Sequence, residues 1–157
     1  MRKLLLLALF LVRSIYIEEI DTFNYVNNEI NIFESIPEIP KKEVVLATYN
    51  GIITAYGPDC YGCIGYTASG FDVRNNIYYN DSTYGTVRIV AADKSLSFGT
   101  IVRITNIDEP IIAIVLDRGG AIGFNKKVYF DLLYPSERDT YSFGKKNATF
   151  EILRYGF

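Results

Sequence analysis

The chain has 157 residues, 49% of them hydrophobic and 15% aromatic, with a formal charge of −2 and no histidine. That is enough apolar material for one domain with accessory segments. The missing histidine excludes Ser-His-Asp and Cys-His nucleophilic catalysis and every histidine-ligated metal site. Eleven acids balance eleven bases from Val45 to Phe157, so no basic stripe of the kind that binds nucleic acid is present. Any enzymatic proton transfer therefore falls to carboxylates, tyrosines or lysines.

Residues 1–13 open with Arg2 and Lys3 before an apolar run from Leu4. A basic start and a short apolar stretch predict an export signal or N-terminal anchor helix, well short of the roughly 20 residues of a membrane span. The competing reading is a buried N-terminal helix. Residues 14–44 carry seven acids against Lys41 and Lys42 and end in a segment broken by Pro37 and Pro40. Proline cannot continue a helix, and the segment reads as a flexible tether. Residues 45–157 form the folded body.

In that body, β-rich runs alternate with turn residues: VVLATYNGIITAYG, TVRIVAAD, TIVRITN, IIAIVLD, KKVYFDLL and ATFEILRYG. Six strands with little room between them for helix predict a small closed barrel. One short helix is expected over Ser136 to Phe143, capped by Ser136, with Asp139 at the capping-box position and Gly144 ending it. Cys60 and Cys63 lie in the glycine-rich stretch GPDCYGCIG. No second pair or histidine completes a zinc site, and no thioredoxin-like βαβ pattern accompanies them. A short-loop disulfide or two thiols stiffening the loop are the readings left.

The most informative stretch is IIAIVLDRGGAIGFNKKVYFDLL, from Ile111 to Leu133. Two β-rich runs each carry an acid, Asp117 and Asp131, and Gly119-Gly120 between them permits close backbone approach. Two carboxylates on neighbouring rigid strands suit acid–base chemistry. Asp131, set among Phe130, Leu132 and Leu133, is costly in an apolar strand unless exposed or partnered. Asp117 before Arg118 also fits a surface ion pair, and Asp93 before Ser95 fits a turn.

Asp93 in AADKSLSFGT, Asp117 in LDRGGAI and Asp131 in YFDLL follow one another in an order that resembles the three-aspartate (3D) domain of bacterial cell-wall enzymes, relatives of the RlpA-like and expansin barrels. ITAYG (Ile53–Gly57), TASG (Thr67–Gly70), SFGT (Ser97–Thr100) and the closing SFGKKNATFEIL support it. The resemblance implies a mainly β, six-stranded double-psi β-barrel. It also implies a peptidoglycan lytic transglycosylase that cleaves between N-acetylmuramic acid and N-acetylglucosamine to give an anhydro product. Asp131 would be the catalytic acid, Asp117 its charged partner and Asp93 a positioning group. Tyr56, Thr67, Gly119 and Gly120 would meet the glycan. No cofactor or metal is implied. The expected partner is peptidoglycan, the expected state a monomer at the cell surface or secreted, with membrane contact only through an uncleaved N-terminal segment.

The chain departs from the family pattern where Gly123-Phe124 replaces a Lys-Gly and the connection from Asp117 to Asp131 is longer. That departure motivates a second reading, a non-catalytic expansin-like glycan-binding module. A protein-interaction barrel with structural acids is the third.

Overall fold

A computed structural model describes residues 43–156. The leader expected over residues 1–13 lies outside the described residues, as does the tether over 14–44 apart from Glu43 and Val44.

Seven strands and one helix make up the body: β1 (Ala47–Tyr56), β2 (Tyr78–Asp81), β3 (Gly85–Ala92), β4 (Ile101–Thr105), β5 (Ile111–Arg118), β6 (Val128–Leu133), α1 (Glu137–Phe143) and β7 (Lys146–Arg154). The sheet order is β2-β3-β5-β4-β7-β1-β6, and a further pairing of β3 with β6 closes it. The closed barrel thus has six strands, as expected from the sequence, with β2 attached outside the ring. The β1–β6 and β3–β5 pairs are parallel, and the remaining pairs are antiparallel. Closure removes unpaired edges from the ring strands.

Strand alternation sorts side chains into two apolar layers. Ile53, Val90, Ala92, Val102, Ala113, Val115, Phe130, Leu132, Phe150 and Ile152 fill the barrel interior. A second cluster forms on the outer face, where Val87, Ile89, Ile114, Leu116 and Leu133 are covered by Val73, Phe71 and Ile77 from the long β1–β2 connection. That connection is therefore packed against the barrel, and it forms the lid of the outer layer.

Helix α1 begins and ends as its sequence predicts. Ser136 is its N-cap, accepting from the Asp139 amide, and Gly144 takes φ 65° at its C-terminus. Among the described residues no helix is long and apolar enough to cross a membrane.

Strand β2 escaped the sequence reading. Its four residues, YYND, are too short and too polar to give a period. Asp81 fixes it: Arg154 Nη2 and Nη1 donate to its carboxylate at 2.5 and 3.1 Å, and the Thr83 and Tyr84 amides donate to the same group. The Arg154 bonds hold the Asp81 carboxyl down at about 2. A depressed folded-state pKa contributes stability above the ordinary carboxylate range, lost as pH falls through about 2. Asp81→Asn should accordingly cost about 2 kcal/mol at neutral pH, since it weakens the charged hydrogen bonds of a carboxylate only 6% exposed. Urea denaturation should show that difference shrinking between about pH 4 and pH 2; a difference independent of pH would contradict it.

Candidate functional site

Four outward positions line up across four strands. Asp131 of β6 pairs with Thr54 of β1 on one side and with Ala91 of β3 on the other, and Ala91 pairs in turn with Asp117 of β5. The two acids flank one small residue. Adjacent strands lie about 4.8 Å apart, so the acids' backbones are roughly 10 Å apart across Ala91.

Asp117 reaches this outer row because β5 bulges. Val90 pairs with Val115 and Ala91 with Asp117, leaving Leu116 as an extra residue. Without it, Asp117 would share the inward parity of Ala113 and Val115. A bulge re-aims the side chains after it. A second irregularity, with Tyr129 as the extra residue of β6, precedes Phe130 and Asp131.

The β1–β2 connection roofs the row and makes a cleft of about 420 Å³, lined by residues that include Tyr56, Thr67, Asp117, Arg118, Gly119 and Asp131. Cys60 and Cys63 also line it and are paired as a disulfide. Tyr61 and Ile64 stand fully or largely exposed on this bridged loop.

The two acids have different surroundings. Asp117 Oδ2 accepts from Tyr56 Oη at 2.6 Å, and its Oδ1 accepts from the amides of Ala68 and Arg118, both at 2.8 Å. This ties β1, β5 and the roof together. Burial, then the Asp117 charge, raises the Tyr56 phenol far above its ordinary value, so it stays a donor. Asp131 Oδ1 accepts from Thr54 Oγ1 at 2.7 Å. Its carboxyl is pushed above the usual range, first by burial and then by the negative charges of Glu137 and Asp117, against the lowering effect of the Thr54 bond. One carboxylate is held by donors, and the other is biased toward its protonated form.

Glu137 was not singled out from the sequence. Its Oε2 accepts from the Gly57 amide at 2.9 Å, and its own amide donates to Asp59 Oδ1 at 2.6 Å. Helix α1 is thereby latched to the end of β1, with a carboxylate brought toward Asp131. Glu137→Gln keeps an acceptor for Gly57 while deleting the charge. The Asp131 titration followed by carboxyl NMR should move to lower pH in that variant, because a like charge that favoured protonation has gone. An unmoved titration would remove Glu137 from the site.

Asp93, just after β3, and Gly120, just after β5, lie outside the cleft lining. The Asp93 carboxylate accepts from the Ser95 amide at 2.9 Å, which lowers its pKa. Its other oxygen rests where a Cβ on Gly123 would lie, 2.6 Å away, and Gly123 has φ 149°. Only glycine fits there. The lengthened β5–β6 connection is a compact turn, with Gly123 N donating to Val128 O and Lys126 N to Gly123 O, both at 2.9 Å. Phe124 packs on Tyr49 and Tyr129. Beyond the irregularity at Tyr129, β6 stays in continuous register with β1 from Phe130 to Leu133.

Thr54 and Ala91 were also missed. Thr54 lies within the ITAYG stretch, and Ala91 is visible only through strand pairing. Arg118 reaches back to donate to the Asp93 carbonyl at 3.3 Å and lies over the Phe98 ring.

Fold and site together define a closed six-stranded β-barrel with a roofed outer cleft containing two unlike carboxyl groups. The chain is 30% identical over 124 residues to the "SPbeta prophage-derived uncharacterized protein YorM" of Bacillus subtilis, covering 78% of this chain and 48% of that protein. It is 31% identical over 101 residues to the "Putative cell wall shaping protein YabE" of the same organism, covering 64% of this chain and 21% of that protein. The chain thus spans less than half the length of either relative. No family model matches it.

Proposed function

We propose that this barrel acts on the bacterial cell wall as a peptidoglycan lytic transglycosylase. The observation that carries the reading is the unlike pair across Ala91: Asp117 fully engaged by donors, Asp131 raised toward protonation in an open cleft. A likeness to a protein named for cell wall shaping supports the setting. Asp131 would protonate the leaving glycosidic oxygen. The same group, now ionised, would then take the proton from the muramoyl C6 hydroxyl as that oxygen closes on the anomeric carbon. One carboxyl serving as acid and then base replaces the two of an ordinary hydrolase. Asp117 would stabilise the positive charge that develops on the sugar. Asp93 would act from outside the cleft, as a brace between the β3–β4 and β5–β6 connections. Residues 1–13 would direct export or anchor the chain, and residues 14–44 would tether a monomeric barrel at the wall.

The test is incubation of the full chain with purified sacculi, followed by mass spectrometry for anhydromuropeptides. Their absence at every pH from about 4 to 8 would end the proposal.

The position of Asp93 outside the cleft lining favours a second reading, a glycan-binding module without catalysis. Co-sedimentation with sacculi, no soluble fragment, and binding indifferent to Asp131→Asn would select it.

A further inference from the structure

A second groove, of about 480 Å³, runs beside β2 and is lined by Phe71, Asn76, Tyr78, Tyr79, Asn80 and Thr86. No charged side chain lines it. Phe71 and Tyr79 meet edge to face with centroids 5.5 Å apart, while Tyr78 is 45% exposed. Asn76 Oδ1 accepts from the Tyr78 amide and Asn80 Oδ1 from Thr86 Oγ1, both at 3.0 Å. Those bonds orient the two side-chain amides and leave their N–H groups for a ligand. Aromatic rings beside fixed amides suit the apolar faces and hydroxyls of an uncharged sugar.

The groove is pre-formed, because the Asp81–Arg154 pair pins the β2 end to β7. The Thr67–Phe71 turn joins it to the acid cleft. Phe71 N donates to Thr67 Oγ1 at 3.0 Å, and Thr67 N donates to Phe71 O at 2.9 Å. A single turn, Thr67–Phe71, thus has one end in each depression.

We propose that the β2 groove is an accessory saccharide subsite that holds an uncharged N-acetylhexosamine of the same strand whose scissile bond lies in the acid cleft. The proposal rests on the glycan reading above and extends it: the polypeptide that supplies β2 lengthens the binding track. A linked strand engaging both depressions gains from the effective concentration of the second site.

The probe is a β-1,4-linked N-acetylglucosamine tetramer, titrated by NMR into the full chain carrying Asp131→Asn so that no cleavage intervenes. The side-chain amide signals of Asn76 and Asn80 should shift at saturation. Tyr78→Ala with Asn80→Ala should weaken binding about three- to tenfold. Should that double variant melt early, Thr86→Glu, an exposed strand position, places a carboxylate against the groove and should weaken binding comparably. Still amides at saturation, or binding within about twofold in a folded variant, would overturn the subsite. Amides that respond to an extended peptide and not to the sugar would overturn it as well. Sacculus digestion by the native chain reads the catalytic proposal separately: anhydro product with a silent groove rejects only the subsite, and a responsive groove without product rejects only the lyase.

Discussion

Asp131→Asn should lose anhydromuropeptide release by about 10²- to 10⁴-fold while the barrel stays folded. Asparagine preserves the shape of the side chain and an oxygen for Thr54 Oγ1, which donates to Asp131 Oδ1 at 2.7 Å. What it removes is the proton that the leaving oxygen would receive. The stability of the variant should move the other way. Burial raises the Asp131 pKa, so this group's contribution to native stability is greatest below the ordinary carboxylate range and falls as pH rises through the elevated folded value. Asparagine has no such dependence. The variant should therefore melt at or above the native temperature at neutral pH, with the gain fading toward pH 3. A site that gains stability when its acid is removed is one maintained for reactivity. Melting curves at pH 3 and pH 7, with sacculus digestion alongside, decide both halves. An active variant, or one that loses stability at pH 7, would contradict this account.

Gly57→Ala should be the most damaging small substitution near the cleft, at about 3 kcal/mol or more. A Cβ there would lie 2.0 Å from the Glu137 amide nitrogen, 2.3 Å from the Ser136 carbonyl carbon and 2.6 Å from Asp59 Oδ1. The first two are backbone atoms and have no rotamer to escape into. Relief requires moving the start of α1, which breaks the Gly57–Glu137 and Glu137–Asp59 hydrogen bonds together. Gly57 also follows Tyr56, whose hydroxyl holds Asp117, so the strain reaches the cleft. Urea denaturation measures the cost. An alanine variant within about 0.5 kcal/mol of native would mean that the latch yields easily.

The barrel was legible because its cause is local. Six runs such as TVRIVAAD and IIAIVLD hold β-branched side chains between turn residues, and each became a ring strand. The α1 caps were legible for the same reason, since Ser136, Asp139 and Gly144 act within one helix. Strand β2 was not, because YYND is held by Arg154, 73 residues beyond Asp81. Glu137 looked like an ordinary residue of a helix's first turn, and only the packing of α1 on Gly57 makes it a neighbour of the acids.

The sequence alone determined the residue types with which this protein works: carboxylates without histidine, on β-rich runs, in the order Asp93, Asp117, Asp131. Which acids share a cleft was decided by tertiary structure. Strict alternation along β5 sends Asp117 inward with Ala113 and Val115, and the extra residue Leu116 turns it outward opposite Ala91. The physical reason is that strand register is a relation between chains of residues far apart, and one additional residue in a ladder exchanges inside for outside.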